Sequence, residues 1–318
     1  MDYRLAFMLI AVALVLSAGC VSMTGEDPTK ITTNEKHDIA DMIQVEKEEV
    51  HPLPIEPDTD FTLDLYVKNI HKSKKVENLL CDISDEGIFT LKNAPEKPDD
   101  LYPGMERVFE FNFHSPSSSI LVNNLDSAIE YICTYTGTAR KTMQFAVISK
   151  QARDEYQLAG KPLPVSIVSS EEPGPLKLKI TSDSPYFISG RDAVLRLKLE
   201  NDGAYGIIGS EKAFNKLPPG SVSFYIESDA VDNCKIQTFG PGKFACGGAV
   251  VNGERYCKCI NTDWIQLIEG SSASHAFLFH VPSDAAPRGV KRYIVTGEAE
   301  YMYILRNQVM VNVKGELV

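Results

Sequence analysis

Short runs of alternating apolar and polar residues recur along most of the chain. Residues 61–67 place an apolar side chain at every second position, and residues 194–199 repeat the pattern. Period-two alternation predicts half-buried β-strands, because successive side chains of a strand point to opposite faces of its sheet. Only residues 150–159 have a composition suited to a helix, which Gly160 and Pro162 would end. The pattern therefore predicts an all-β protein.

Three sequence blocks occur twice in the same order. The block Leu63-x-Leu65-x-Val67-x-Asn69 recurs as Leu195-x-Leu197-x-Leu199-x-Asn201, at an offset of 132. The block from Leu101 to Pro116 recurs from Leu267 to Pro282 at an offset of 166, and Tyr131-Ile132-x-Thr134 recurs as Tyr293-Ile294-x-Thr296 at an offset of 162. Three collinear repeats predict two copies of one fold.

The repeat predicts two β-sandwich domains, at residues 42–150 and 175–318, joined by a linker at residues 151–174 that is rich in Gly and Pro. The offset rises from 132 to 166 between the first two blocks, so the second copy carries 34 additional residues there. All four late cysteines lie in this interval. We therefore expect a disulfide-stapled insertion in the second domain.

The order of the repeated motifs resembles a known family of surface modules. An apolar strand ending in Asn, a Gly turn, a Phe-x-Phe strand before Pro and a Tyr-led strand are similar to bacterial and archaeal β-sandwich modules of the immunoglobulin-like or CARDB type. The resemblance covers most of residues 42–150 and 175–315. It implies two tandem immunoglobulin-like β-sandwich domains displayed outside a prokaryotic cell.

The N-terminus has the layout of a secretory signal. Arg4 precedes an apolar segment at residues 5–16, which is shorter than the roughly 20 residues that span a bilayer. The following Leu16-Ser17-Ala18-Gly19-Cys20 resembles the bacterial and archaeal lipoprotein signal, in which the cysteine receives a lipid after cleavage. We expect residues 1–19 to be removed and Cys20 to anchor the protein at the outer face of the cell membrane. The alternative is a plain secretory signal cut near Ala18.

Residues 20–41 are predicted to be the lipidated cysteine and a flexible tether, because they are polar and lack a sustained apolar period. Lipid attachment of Cys20 also resolves the odd number of cysteines. The six that remain divide evenly between the two halves: Cys81 and Cys133, then Cys234, Cys246, Cys257 and Cys259. An even number in each half predicts disulfides within domains in an oxidising compartment.

Cys81 is expected to pair with Cys133. In the second half, Cys257 and Cys259 are too close in sequence to bond to each other without strain. Two connectivities stay open: Cys234–Cys257 with Cys246–Cys259, or Cys234–Cys259 with Cys246–Cys257. Zinc binding is the alternative use of these four cysteines, but their spacing matches no common structural zinc site, so no metal is expected.

The net charge of −11 disfavours nucleic acid as a partner, because an acidic surface repels a phosphate backbone. No nucleophile elbow, phosphate loop, dinucleotide fingerprint or zinc-protease motif occurs, so we expect neither an enzyme nor a cofactor. His114 and His280 hold the same repeat position before a proline, which indicates a structural role. His275 should lie on the opposite strand face from His280, which argues against a two-histidine metal site.

Two loops are candidates for recognition. The glycine-rich segment 203–209 contains Tyr205, Ile207 and Ile208, and Trp264 lies near the cysteine-bounded insertion. The alternative is that Ile207, Ile208 and Trp264 cover the sandwich edge. We expect a lipid-anchored surface protein with an interaction or structural role, which binds a protein or a glycan through its distal domain. The alternative function is a surface carbohydrate-active enzyme or an accessory carbohydrate-binding subunit.

Overall fold

The computed structural model of the chain describes residues 41–95, 97–117, 124–163, 168–210, 213–287 and 289–315, which all belong to one compact unit. The strands in chain order are β1 (Ile43–His51), β2 (Asp60–Asn69), β3 (Val76–Asp85), β4 (Thr90–Asn93), β5 (Asp99–Leu101), β6 (Glu106–His114), β7 (Leu125–Ile148), β8 (Ser169–Glu171), β9 (Leu176–Ser182), β10 (Tyr186–Ile188), β11 (Asp192–Asn201), β12 (Gly206–Ser210), β13 (Ala213–Phe214), β14 (Lys216–Leu217), β15 (Val222–Glu227), β16 (Ile236–Phe239), β17 (Phe244–Val251), β18 (Glu254–Asn261), β19 (Ile265–Ile268), β20 (Ser271–Ser272), β21 (His275–His280) and β22 (Val290–Val313). The helix α1 spans Lys150–Leu158, and two short 3-10 turns cover Ser228–Ala230 and Asp232–Cys234.

The strands form three sheets, which confirms the predicted all-β sandwich class. A four-stranded sheet has the order β1-β2-β6-β4. A seven-stranded sheet has the order β14-β19-β20-β11-β21-β16, with β9 paired to β11. The largest sheet has eleven strands, in the order β17-β18-β15-β22-β7-β3-β5, with β8, β10, β12 and β13 attached at its sides.

A long two-stranded ribbon runs through the middle of the eleven-stranded sheet. β7 and β22 have 24 residues each and pair antiparallel without a break, from Leu125 opposite Val313 to Ile148 opposite Val290. At the centre of the ribbon, Thr138 stands opposite Glu300. These two residues are also 162 positions apart, which is the offset that relates the two copies of the Tyr-led strand. The two halves are therefore related by an approximate two-fold axis between Thr138 and Glu300.

The C-terminal end of each ribbon strand contacts the other half of the chain. Residues 146–148 of β7 pair with β10 of the second half, and Lys314, just beyond the end of β22, donates its backbone N–H to the carbonyl of Ile55 in the first half. Segment 151–174, predicted as a linker, contains most of α1 and also β8, which pairs with β7. The domain boundaries at 150 and 175 stay a prediction. The structure shows in addition that strand segments of the two halves contact each other across them.

Local contacts repeat with the sequence. The imidazole Nδ1 of His114 lies 2.6 Å from the carboxylate of Asp60, and that of His280 lies 2.8 Å from Asp192. Both pairs connect adjacent strands at the same position of the repeat. Gly104 and Gly270, which end the equivalent turns, both have a left-handed backbone with φ of 73° and 78°. A left-handed φ costs glycine little, which explains why this residue recurs in the motif.

Aromatic side chains fill the space between the sheets. Phe224 of β15 stacks on Phe277 of β21 with ring centroids 4.2 Å apart, which joins the eleven-stranded to the seven-stranded sheet. In the first half, the Tyr131 hydroxyl of β7 donates a hydrogen bond to Glu48 of β1 and joins the eleven-stranded to the four-stranded sheet. Burial of a phenylalanine side chain contributes roughly 1.5–3 kcal/mol. Burial of the apolar side chains that the alternation predicts therefore stabilises the packing of the sheets.

The additional residues of the second copy form two separate pieces. Cys81 of β3 pairs with Cys133 of β7, and Ile226 of β15 pairs with Val295 of β22. Because Cys133 and Val295 are equivalent in the repeat, Cys81 and Ile226 are equivalent too, at an offset of 145. The extra residues therefore divide into 13 before this point and 21 after it. The first piece contributes β12, β13 and β14, and the second contributes the β17–β18 hairpin.

Candidate functional site

The predicted binding loop at 203–209 is partly a strand of the sheet. Gly206–Ser210 forms β12 and pairs with β22, where Ile208 stands opposite Tyr303. Ile208 is fully buried, which corrects the expectation that it contacts a ligand. The physical reason is Gly206, where a Cβ atom would lie 2.4 Å from the Tyr303 ring. The absence of a side chain at this position lets the strand lie directly against the ring.

The remaining candidate residues lie in different surroundings. Tyr205 is 62% exposed at the end of the loop before β12, and Ile207 is half-buried. Trp264, the one tryptophan of the chain, is 41% exposed and lines a cleft that Tyr205 and Ile207 do not line. The four predicted residues therefore do not form one binding surface. Trp264 marks a different site.

The Trp264 cleft has a volume of about 650 Å³ and is open to solvent. Its walls come from β3, β7, β12, β22, the loop before β15 and the loop between β18 and β19, so both copies of the repeat contribute. The lining residues are Glu77, Thr136, Gly137, Thr138, Gly209, Ser210, Pro218, Ser221, Trp264, Glu300, Tyr301 and Met302. Such a volume falls in the range of small-molecule binding sites in proteins.

The cleft lies over the approximate two-fold axis. Thr136 and Thr138 of β7 share one face of the ribbon with Glu300 and Met302 of β22, because residues two apart in a strand point to the same side. The neighbouring cross-strand pair is Tyr301 and Gly137, where a Cβ atom at Gly137 would lie 2.6 Å from the Tyr301 ring. Tyr301 is buried. The floor of the cleft is therefore backed by the packed ring of Tyr301.

Hydroxyl and carboxylate groups dominate the polar chemistry of the cleft. No Lys, Arg or His is among the described residues that line it. Thr136 Oγ1 lies 2.9 Å from the amide nitrogen of Asn78, and the Ser210 hydroxyl is buried without a hydrogen-bond partner in the described structure. A buried hydroxyl without a partner costs free energy, which a ligand that bonds to it would recover.

The two carboxylates of the cleft differ in their surroundings. Lys75 Nζ lies 3.1 Å from Glu77 and 2.9 Å from Asp100, and its hydrogen bonds to these two carboxylates raise the pKa of Lys75. Glu300 has no ion pair within the described ranges. Glu298, one step along the same face, is paired with Arg140 at 3.2 Å. Glu300 is thus the cleft carboxylate that is open to a ligand.

A buried carboxylate joins the start of the described chain to the loop beside β12. Asp41 accepts hydrogen bonds from the Tyr303 hydroxyl and from the backbone N–H of Ala204. Burial raises the pKa of Asp41, although both hydrogen bonds favour its ionised form. Asp41 was expected to be the last residue of the solvated tether, and its burial corrects that boundary. The sequence contains no signal for a contact across 262 positions.

All six cysteines of the described structure are bonded, which confirms the predicted disulfides. The bonds are Cys81–Cys133, Cys234–Cys257 and Cys246–Cys259. The pairing in the second half is thus the first of the two connectivities left open. Cys246 and Cys259 stand directly opposite each other on β17 and β18, so their bond fixes the register of the hairpin. Cys20 lies outside the described residues, and its lipid attachment stays a prediction.

The histidines of β21 lie on opposite sides of the strand, as the odd separation predicts. His280 is exposed, whereas His275 is buried against the Phe244 ring, with ring centroids 5.3 Å apart. Neither ring nitrogen of His275 has a hydrogen-bond partner in the described structure. Burial therefore lowers the pKa of His275 below its ordinary value of about 6.5. In the first half, hydrogen bonds to Asp60 and Asp58 raise the pKa of the half-buried His114.

The buried His275 should make the fold less stable in mild acid. A lowered pKa in the folded state means that the unfolded chain binds more protons as the pH falls below about 6.5. The contribution of His275 is thus present above that pH and lost as the pH decreases. We expect His275→Leu to reduce the difference in free energy of unfolding between pH 5 and pH 8, measured by urea denaturation. An unchanged difference would contradict this role of His275.

A comparison with protein-family models finds no match for the chain, and a comparison with curated proteins finds no significant similarity. Among the described residues, no helix has the length and apolar character needed to cross a membrane. The same residues contain no group of three or more His, Cys, Asp and Glu side chains arranged to hold a metal ion. The site must therefore be interpreted from its own chemistry.

Proposed function

We propose that the chain is a lipid-anchored protein of the prokaryotic cell surface that binds a glycan in the Trp264 cleft. The observation that carries the proposal is the cleft itself, where an exposed indole lies among hydroxyl and carboxylate groups, with no cation among the described lining residues. The cleft is lined by residues of both copies, so the site that we propose lies between them, whereas the sequence predicted a site on the distal domain. The anchor is the lipid expected on Cys20.

The anchoring proposal is supported by the use of the other cysteines. Of the seven in the chain, six are bonded in pairs, which leaves Cys20 as the one available for another modification. Three disulfides are typical of a protein folded outside the cytosol. The signal-like segment at residues 1–19 indicates the same compartment.

The chemistry of the cleft suits a sugar better than an anion or an apolar ligand. The C–H face of a sugar ring can pack on the exposed indole, which combines a large apolar surface with a polar edge. The Ser and Thr hydroxyls can donate or accept hydrogen bonds, and Glu300 can accept them from sugar hydroxyls. An anionic ligand would meet Glu77 and Glu300, and the part of the lining that the structure describes holds no cation to balance its charge.

A second candidate function is glycan cleavage, because Glu77 and Glu300 both line the cleft. Glycosidases use a pair of carboxyl groups, one of which must carry a proton as the general acid. Lys75 Nζ already forms an ion pair with Glu77 at 3.1 Å, so the described cleft offers one carboxylate without an ion pair rather than two. Binding without cleavage is therefore the function we propose, and release of shorter sugars from a bound glycan is the outcome that would favour an enzyme.

Trp264→Ala should weaken glycan binding about 30-fold, because loss of a central aromatic contact in a binding site costs about 2 kcal/mol. The purified protein would be screened against immobilised neutral polysaccharides, and the affinity for the best one measured for each variant. Tyr205→Ala is the matched control, because Tyr205 is also an exposed aromatic residue but does not line the cleft.

Retained binding in the Trp264→Ala variant would overturn the assignment of the cleft. Loss of binding in Tyr205→Ala alone would return the site to the loop before β12. If the protein bound no glycan but bound a protein partner through Trp264, the proposed ligand class would be wrong and the proposed location correct.

A further inference from the structure

The outer edge of β17 differs from the other long edge strands. β1 carries the charged residues Glu46, Lys47, Glu48 and Glu49 at the edge of the four-stranded sheet, and β9 carries Lys177 and Lys179. β17 ends the eleven-stranded sheet over eight residues with the sequence FACGGAVV, which contains neither a charge nor a proline. Proteins commonly protect edge strands with charges or proline, because an open edge can pair with another strand. The β17 edge lacks that protection.

The register of the β17–β18 hairpin shows which backbone groups face outward. Val251 and Glu254 pair across the two-residue turn of Asn252 and Gly253, whose φ values of 53° and 86° fit a type I′ turn. In such a hairpin Val251 and Glu254 form a hydrogen-bonded pair. Cys246 and Cys259, with Cα atoms 4.0 Å apart, then form a non-hydrogen-bonded pair. The alternation leaves the backbone N–H and C=O of residues 244, 246, 248 and 250 facing away from β18.

We propose that two copies of the chain pair through this edge, with β17 antiparallel to β17 of the second copy and a two-fold axis at Gly247. This register places residue 244 opposite residue 250 of the second copy, and residue 246 opposite residue 248. It pairs every outward backbone group of both strands. A shift of the axis to Gly248 would leave residue 244 opposite the turn, so it would form fewer hydrogen bonds.

The side chains of β17 suit the same register. Val250 is 70% exposed and lies on the same strand face as the buried Phe244, because the two residues are six positions apart. Pairing brings Val250 beside Phe244 of the second copy and removes it from water. A Cβ atom at Gly247 or Gly248 would meet nothing within 4 Å, so the space beside the centre of the strand is open.

The absence of charged side chains on β17 is compatible with a second copy of the chain pairing at this edge. An uncharged strand has no group that would select a foreign partner by charge, and it does not repel an identical strand. Lys258, opposite Gly247 on β18, is the nearest cation to the proposed axis along the ladder. Its two copies would be three strand spacings apart, about 14 Å. This distance exceeds the screening length of about 8 Å at physiological salt.

Gly247→Cys in the full chain should form a covalent dimer under mild oxidation. The axis places the two Gly247 residues opposite each other as a non-hydrogen-bonded pair, the same type of pair that already carries the Cys246–Cys259 bond. Leu158→Cys is the matched control, because Leu158 is 90% exposed on α1 and far from β17 in sequence. Non-reducing electrophoresis of the membrane fraction should show the dimer for Gly247→Cys and not for Leu158→Cys.

A second measurement does not depend on added cysteines. Light scattering of the detergent-solubilised full chain should report a dimer, and Val250→Glu should weaken its association at least about tenfold, because it places a charge against Phe244 of the second copy. Leu158→Glu should leave the association unchanged. A monomeric wild-type chain, equal cross-linking of the two cysteine variants, or a Val250→Glu protein that still associates fully would each overturn the proposal.

Discussion

Replacing both Cys81 and Cys133 with Ala should lower the free energy of unfolding by about 4 kcal/mol, the value that the chain-entropy model gives for a closed loop of about 50 residues. The bond joins residues 52 positions apart on adjacent strands β3 and β7. Removing Cys246 and Cys259, which are 13 positions apart, should cost less, about 3 kcal/mol. This second pair is the control for loss of a buried disulfide in general.

The fluorescence of Trp264 makes the first experiment more informative. Trp264 belongs to the second half of the chain, whereas Cys81 and Cys133 belong to the first. Because β7 and β22 pair along their whole length, we expect both halves to unfold together. The urea midpoint reported by Trp264 should therefore fall when the Cys81–Cys133 bond is removed. A Trp264 midpoint that stays constant would mean that the two halves unfold independently.

Cys20→Ala should release the protein from the membrane almost completely. Without the thiol, no lipid can be attached, and residues 21–40 contain no apolar segment that could replace it. Cell fractionation followed by immunoblotting would measure the membrane-bound share. Cys234→Ala is the control for the loss of one cysteine, because Cys234 is bonded to Cys257 in the second half.

Mass spectrometry of the wild-type N-terminus decides the same point independently. A lipid-modified Cys20 is the expected N-terminal residue. An unmodified N-terminus near residue 19 would instead support the plain secretory signal, and the anchoring proposal would fail.

The sequence predicted those features of the fold that depend on local pattern. The alternation at 61–67 and 194–199 corresponds to β2 and β11, where each second side chain is buried. The repeated histidines correspond to equivalent contacts with Asp60 and Asp192. Both kinds of signal arise from neighbouring positions in the chain or from equal spacing in two copies.

Long-range exchange left no such pattern. β7 pairs with β22 over its whole length, and its sequence carries no turn signal at the point where it passes from the first half to the second. Asp41 was predicted to be solvated and Ile208 to contact a ligand, but both are buried. Each lies beside Tyr303, which is distant in sequence. The cleft combines side chains from several separate segments, so the uniqueness of Trp264 was the one signal that sequence could offer for it.

The most direct measurement of the proposed function is the emission of Trp264 during titration with neutral polysaccharides. Trp264 is the only tryptophan, so every change in indole emission reports on the cleft. We predict a saturable change in emission with a binding glycan, together with protection of the indole from a soluble quencher such as acrylamide. A glycan that binds tightly by calorimetry while the emission and quenching of Trp264 stay unchanged would contradict the assignment of the cleft.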